Sequence, residues 1–142
     1  MTLPAILAPV FVQVALTFAL LVWTGRSRVA VLRAKEVRIG EVALGQRVWP
    51  QRVQQVSNAY QNQFEVPVLF YVIVALAILT RQADLLFVAL SWAFVASRLA
   101  HAFVHTTSNR LQHRFMAFLV GVLILMLMWI IFAVRVLFGT AA

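Results

Sequence analysis

The sequence contains no cysteine and only four acidic residues, and each shortage excludes a class of chemistry. Without cysteine there is no disulfide, no protein thiol nucleophile and no cysteine-based metal site. Asp84 is the single aspartate and the three histidines are scattered, so neither a serine–histidine–aspartate triad nor a metal site is expected, although His101 and His105 stand four residues apart. No glycine-rich phosphate-binding motif is present. Any thiol chemistry would therefore have to be supplied by a substrate.

Hydrophobic residues take the place of the missing charged ones, which make up only 11% of the chain. Their share, 63%, exceeds the roughly 45–50% of a soluble globular protein. The excess is divided among four apolar segments, and about 20 helical residues are enough to cross the hydrocarbon core. We predict an all-α integral membrane protein, a four-transmembrane-helix bundle that forms a single domain over residues 1–142. The predicted helices cover approximately residues 3–23, 50–79, 84–105 and 113–138.

The formal net charge of +8 arises largely from a basic loop between the first two segments, residues 24–49. With the start of the next helix it holds Arg26, Arg28, Arg33, Lys35, Arg38, Arg47 and Arg52. By the positive-inside rule this loop is cytoplasmic, and both termini are then non-cytoplasmic. We interpret the basic run as a retention signal and a contact for anionic lipid, in preference to a specific binding role. No nucleic-acid partner is expected.

Polar residues enter the second segment where its apolar run begins. Asn58, Asn62 and Glu65 are spaced i, i+4 and i+7, so a continuous helix would carry all three on one side. A carboxylate at the mouth of a membrane span is costly to hold there and indicates a functional site with a partner.

The third segment offers that partner in Arg98, which shares a stripe with His101 and His105. Counted from the non-cytoplasmic ends of the two helices, Glu65 and Arg98 both lie roughly 21 Å deep at 1.5 Å per residue. We predict a direct or water-bridged contact between them. A purely structural pairing that fastens the two helices is the competing interpretation.

Arg110 and Arg114 stand at the start of the fourth segment, at the same end of the bundle, and no acidic residue remains nearby in sequence to pair with them. An anionic ligand would explain them, and so would lipid headgroups or the positive-inside bias. His101 is interpreted as a hydrogen-bonded packing residue, and His105 as a residue of the rim.

The order and spacing of these residues resemble the MAPEG family, the membrane-associated proteins of eicosanoid and glutathione metabolism. This family includes microsomal glutathione transferases, leukotriene synthases and a prostaglandin synthase. The resemblance is carried by N-x-x-E-x-P at residues 62–67, R-x-x-H at residues 98–101, and the pair Arg110 and Arg114. It covers about residues 5–138.

The resemblance implies a homotrimer of four-helix protomers that binds glutathione between neighbouring protomers near the cytoplasmic face. It implies that Asn62 and Glu65 contact glutathione and that Arg114, as the catalytic residue, stabilises the glutathione thiolate. The full set of expected substrate-binding residues is Asn58, Asn62, Glu65, Arg98, His101, His105 and Arg110.

Three positions depart from glutathione-binding members. Asn58 stands where they have arginine, His105 where they have tyrosine, and Phe115 where some have serine. The chain is most similar to a bacterial-type branch, which implies a multi-pass protein of the bacterial inner membrane. We expect a membrane-bound protein of the glutathione-transferase or peroxidase kind, with glutathione as thiol co-substrate and an apolar electrophile. The alternative is a non-catalytic member that binds lipid or a protein partner, and the sequence leaves open whether the chain is an enzyme.

Overall fold

The structure, a computed structural model, describes residues 1–43 and 48–139, and within that part it consists of helices and the turns that connect them. Its helices are α1 (Leu3–Arg33), α2 (Ile39–Ala43), α3 (Gln51–Gln61), α4 (Val66–Leu79), α5 (Leu85–Thr106) and α6 (Leu111–Phe138), with a 3₁₀ turn, Asn62–Phe64, between α3 and α4. Four stretches are long and apolar enough to cross a membrane, namely Leu3–Arg33, Gln51–Leu79, Leu85–Thr106 and Leu111–Phe138. The prediction of an all-α membrane protein with four spans is confirmed.

The first helix is longer than predicted, because α1 does not end with its apolar run near Trp23. Its 31 residues measure about 46 Å, against about 30 Å for the hydrocarbon core. Alanine, leucine and arginine favour helix, so the basic residues after Trp23 continue it. The helix ends beside Lys35, whose φ of 58° is incompatible with further α-helix. The expected loop therefore begins only after Arg33; Arg47 lies outside the described residues.

The second span is interrupted, and the prediction of one continuous helix over residues 50–79 is wrong. After the 3₁₀ turn, Glu65 has φ −97° and ψ −105°, and α4 then begins at Val66. The physical cause is Pro67, which has no N–H to donate to the carbonyl of Gln63 and whose ring would clash with that carbonyl in a regular helix. Pro67 is accommodated in the first turn of α4, where proline costs least.

The interruption changes the neighbours of the second span. Before it, α3 packs against α1 and α5; after it, α4 packs against α6 and α1. Helix α5 is central and contacts α6, α1 and α3. At the middle of the bundle the rings of Phe70 and Phe94 stack with centroids 4.7 Å apart. Gly121 lets α6 approach α5, since an added Cβ would lie 2.6 Å from the Ser97 hydroxyl oxygen.

Candidate functional site

A polar cleft of about 380 Å³ opens at the end of the bundle that carries the α5–α6 turn. Its walls come from α3, the 3₁₀ turn, Glu65, the end of α5 and the start of α6. The lining residues are Asn58, Gln61, Asn62, Glu65, His101, His105, Leu111, Arg114, Phe115 and Phe118. The structure therefore brings together six of the eight predicted site residues, all except Arg98 and Arg110.

The amide wall of the cleft is held by one hydrogen bond within α3 and one from the 3₁₀ turn back to α3. Asn62 donates from Nδ2 to the backbone oxygen of Asn58 at 2.9 Å, and the Asn58 Oδ1 accepts from Gln54 Nε2 at 2.6 Å. Glu65 follows at the interruption and is exposed. These contacts fix the two asparagines on the cleft side even though the helix between them and Glu65 is broken.

Arg98 lies behind the cleft and does not pair with Glu65. It is completely buried, and its Nη2 donates to the backbone oxygen of Asn62 at 3.2 Å. Among the described residues no ion pair joins Arg98 to Glu65, so the direct form of the expected contact is wrong, and its water-bridged form stays a prediction. The interruption provides the reason, because the Asn62 carbonyl at the 3₁₀ turn has left the regular helical hydrogen-bond ladder and accepts from Arg98 instead. The Arg98 guanidinium also lies 5.9 Å from the centroid of the Phe118 ring.

The two histidines form one wall of the cleft and are both buried. His101 lies with its Nδ1 3.0 Å from the backbone oxygen of Arg114. A carbonyl oxygen only accepts, so Nδ1 carries the proton in this contact, and in the neutral ring Nε2 is then the acceptor. The rings of His101 and His105 are nearly perpendicular, with centroids 5.6 Å apart. The hydrogen bond between His101 Nδ1 and the Arg114 backbone oxygen joins the end of α5 to the first turn of α6.

The two arginines of α6 are placed differently. Arg114 is half-buried and lines the cleft, and its Nη1 donates to Oδ1 of Asn109 at 2.8 Å. Arg110 precedes the first residue of α6, is exposed and does not line the cleft. Of the two predicted cations, only Arg114 can meet a ligand inside the cleft of this protomer.

The lining of the cleft carries charges of both signs. Arg114 supplies a positive charge and Glu65 a negative one. Within the described residues neither side chain forms an ion pair. The remaining polar lining is uncharged amide and imidazole. No group of three potential metal ligands occurs in residues 1–43 and 48–139. The arrangement can bind an anionic and a cationic group of one small ligand, and 380 Å³ falls within the usual roughly 300–1,000 Å³ of such sites.

An apolar groove of about 530 Å³ lies next to the cleft, between α4 and α6. It is lined by Val66, Leu69, Val122, Leu125, Met126, Trp129 and Ile130. Residues that line the groove are sequence neighbours of residues that line the cleft. Val66 of the groove follows Glu65 of the cleft, and Val122 of the groove lies one helical turn after Phe118 of the cleft. A polar ligand in the cleft would therefore have an apolar surface beside it.

Sequence reasoning missed several residues of the site. Gln61 lies three residues after Asn58, a spacing that already indicated a shared helical face. Leu111 and Phe118 flank Arg114 at helical spacing, and the same periodicity could have found them. Asn109 gave no such signal, because its contact with Arg114 depends on the conformation of the turn.

Comparison with known proteins gives one match. The model described as the MAPEG family matches residues 6–134, which is nearly the whole chain. No curated protein and no solved structure matches the chain significantly.

Proposed function

The chain belongs to the MAPEG family, and from this membership and the geometry of the cleft we propose a function of the glutathione-transferase or peroxidase kind. Membership makes it an integral, multi-pass membrane protein related to glutathione and eicosanoid metabolism. We propose that it binds glutathione as thiol co-substrate in the polar cleft. Its second substrate would be an apolar electrophile.

The observation that carries the proposal is the placement of Arg114 and Glu65 in one cleft, with no residue of 1–43 or 48–139 forming an ion pair to either. Glutathione carries an ammonium group and a carboxylate together on its glutamyl α-carbon, a second carboxylate at its glycine end, and the cysteine thiol between the two ends. Arg114 would meet a carboxylate or the thiolate through charge-assisted hydrogen bonds. Glu65 would meet the ammonium group, and the amides of Asn58 and Asn62 would pair with the peptide groups.

Arg114 is the residue that would activate the thiol. A guanidinium beside a thiol favours the thiolate and lowers the pKa of the thiol, so no separate general base is needed at neutral pH. In the transferase reaction the thiolate sulfur forms a bond to the electrophilic carbon, and the leaving group departs with its electron pair. The groove between α4 and α6 would hold the apolar part of the electrophile, which can enter sideways from the bilayer.

We propose that the protein is a homotrimer. The polar cleft lies open at the surface of the single protomer, where Glu65 is exposed and Phe115 is 56% exposed. A neighbouring copy would enclose Glu65 and the apolar ring of Phe115, and could supply further ligand contacts. Native mass spectrometry in mild detergent should give three chains per particle, and a monomer would contradict the proposal.

Calorimetric titration of the purified protein with glutathione tests the proposed function. Arg114→Ala should weaken binding by roughly 10- to 100-fold, the range expected for loss of a hydrogen-bonded charge partner. Glu65→Gln should weaken the binding of glutathione. It should leave unchanged the binding of an analogue whose amine is acetylated, because that analogue has no ammonium group for Glu65 to meet. Arg110→Ala is the matched control, because its side chain lies outside the cleft lining, and it should bind as the wild type does.

If the wild-type protein binds glutathione no better than Arg114→Ala, the glutathione function is wrong. The protein would then be a non-catalytic member that binds lipid or a protein partner. A transferase assay with an apolar electrophile separates the remaining cases, since binding without turnover would indicate a binding protein.

A further inference from the structure

Asn109 lies in the turn between α5 and α6 and provides the hydrogen bond to the Arg114 guanidinium described above. Its own backbone adopts φ 48°, in the left-handed region, and its N–H donates to the backbone oxygen of Val104 at 2.8 Å. There is an ordinary explanation for asparagine here: it tolerates left-handed backbone and helps to end the preceding helix. Glycine would meet that requirement at least as well.

The side chain of Asn109 does more than the turn requires, because it reaches across to the first turns of α6. Arg114 is held at two points: its backbone oxygen by His101 and its guanidinium by Asn109. The holding group is a neutral amide. An amide oxygen fixes the direction of a guanidinium and leaves its positive charge unneutralised. A carboxylate at this position would form an ion pair and neutralise that charge.

We propose that Asn109 is a positioning residue that holds the Arg114 guanidinium in the cleft while leaving its full positive charge for an anionic ligand. The identity of that anion as the glutathione thiolate or carboxylate rests on the function proposed above. The positioning itself rests on the Asn109–Arg114 geometry and can be tested without glutathione.

Two substitutions separate positioning from turn formation, since both residues tolerate left-handed backbone. Asn109→Gly keeps the turn and removes the hydrogen bond. Asn109→Asp keeps an acceptor oxygen but adds a negative charge beside Arg114. Both variants leave Glu65, His101 and His105, the other titratable groups that line the cleft, unchanged.

The first measurement is the rate at which phenylglyoxal modifies Arg114, followed by peptide mass spectrometry of the detergent-solubilised protein without ligand. Release of the guanidinium in Asn109→Gly should raise that rate roughly three- to tenfold, and Asn109→Asp should lower it. Arg81, exposed in the turn between α4 and α5 and distant in sequence from residue 109, is the internal control and should react equally in all three proteins. An unchanged rate at Arg114 in Asn109→Gly overturns the proposal.

The second measurement is the ultraviolet absorbance of bound glutathione thiolate, at saturating glutathione and one neutral pH. Both variants should show less thiolate than wild type, Asn109→Gly because Arg114 is no longer held and Asn109→Asp because its charge is neutralised. Undiminished thiolate in Asn109→Asp would overturn the part of the proposal that concerns charge. If wild type itself shows no thiolate, the proposed function fails, and the modification rates still decide whether Asn109 positions Arg114.

Discussion

Arg98 donates from Nη2 to the backbone oxygen of Asn62 at 3.2 Å, and the Glu65 carboxylate three residues further along takes no part in that contact. The fully buried cation therefore stabilises the interruption of the second span rather than an ion pair between helices. As a consequence, Glu65 keeps its charge at the edge of the cleft. A structural arginine and a carboxylate that lines the cleft can in this way lie side by side.

Substitutions at Glu65 and Arg98 should be nearly independent in their effects on stability. Arg98→Met should cost about 1–3 kcal/mol, because it leaves the partly buried Asn62 carbonyl without the Arg98 donor. Glu65→Gln should cost less than about 0.5 kcal/mol, as expected for an exposed position. In a double-mutant cycle followed by unfolding in mixed micelles, the coupling should stay below about 0.5 kcal/mol. A coupling of several kcal/mol would show that the two charges pair after all.

Much of the fold could be predicted because hydropathy and helical rise determine where apolar helices run in a membrane. The end of the third helix and the start of the fourth were predicted within two residues of their positions at Thr106 and Leu111. The end of α1 was not, since a helix needs no apolar residues once it leaves the hydrocarbon core, and hydropathy therefore carries no information after Trp23.

The cleft could be predicted in outline because depth along antiparallel helices brings Asn62 and His101 to one level. The partner of Arg98 could not, because it is a backbone oxygen released by the interruption before Pro67. Side-chain spacing alone does not reveal free carbonyls. Pro67 is visible in the sequence as part of the N-x-x-E-x-P pattern, but its effect on the helix follows only from the structure.

Gln13 and Gln63 form a buried hydrogen bond that joins α1 to the 3₁₀ turn, with Gln13 Nε2 donating to Gln63 Oε1 at 2.9 Å. We expect Gln13→Leu to cost about 0.5–2 kcal/mol, because it leaves Gln63 Oε1 unsatisfied inside the bundle. The double variant Gln13→Leu, Gln63→Leu should lose less than the sum of the single variants, since it leaves no orphaned amide oxygen. Thermal unfolding in one detergent measures all four proteins, and strictly additive losses would contradict the expected coupling.

Asp84 joins the beginning of α5 to the end of α6. Its Oδ1 accepts from the Phe87 N–H at 2.9 Å, and its Oδ2 lies 2.8 Å from Arg135 Nη2. The hydrogen bond from Arg135 is the main cause that holds the pKa of the Asp84 carboxyl below its ordinary value. Because the carboxyl is nearly half exposed, the ion pair should contribute less than about 1 kcal/mol.

Asp84→Asn keeps the cap of α5 and removes only the charge, whereas Asp84→Ala removes both and should lose about 1 kcal/mol more. A lowered folded-state pKa means that the stabilisation is fully present above the unfolded value of roughly 3.9 and disappears as the pH falls through the lower folded value. Thermal unfolding of wild type and Asp84→Asn should therefore converge only below about pH 3.9. A difference that persists unchanged in stronger acid would contradict the assigned role of the ion pair.

The predicted topology can be tested with the single lysine of the printed sequence. Lys35 is exposed in the basic segment. The positive-inside rule places Lys35 in the cytoplasm. A membrane-impermeant amine reagent applied to sealed spheroplasts should therefore reach Lys35 only after permeabilisation. Arg81→Lys is the matched control, because the exposed turn between α4 and α5 should be labelled from outside; labelling of Lys35 in sealed spheroplasts would reverse the assignment.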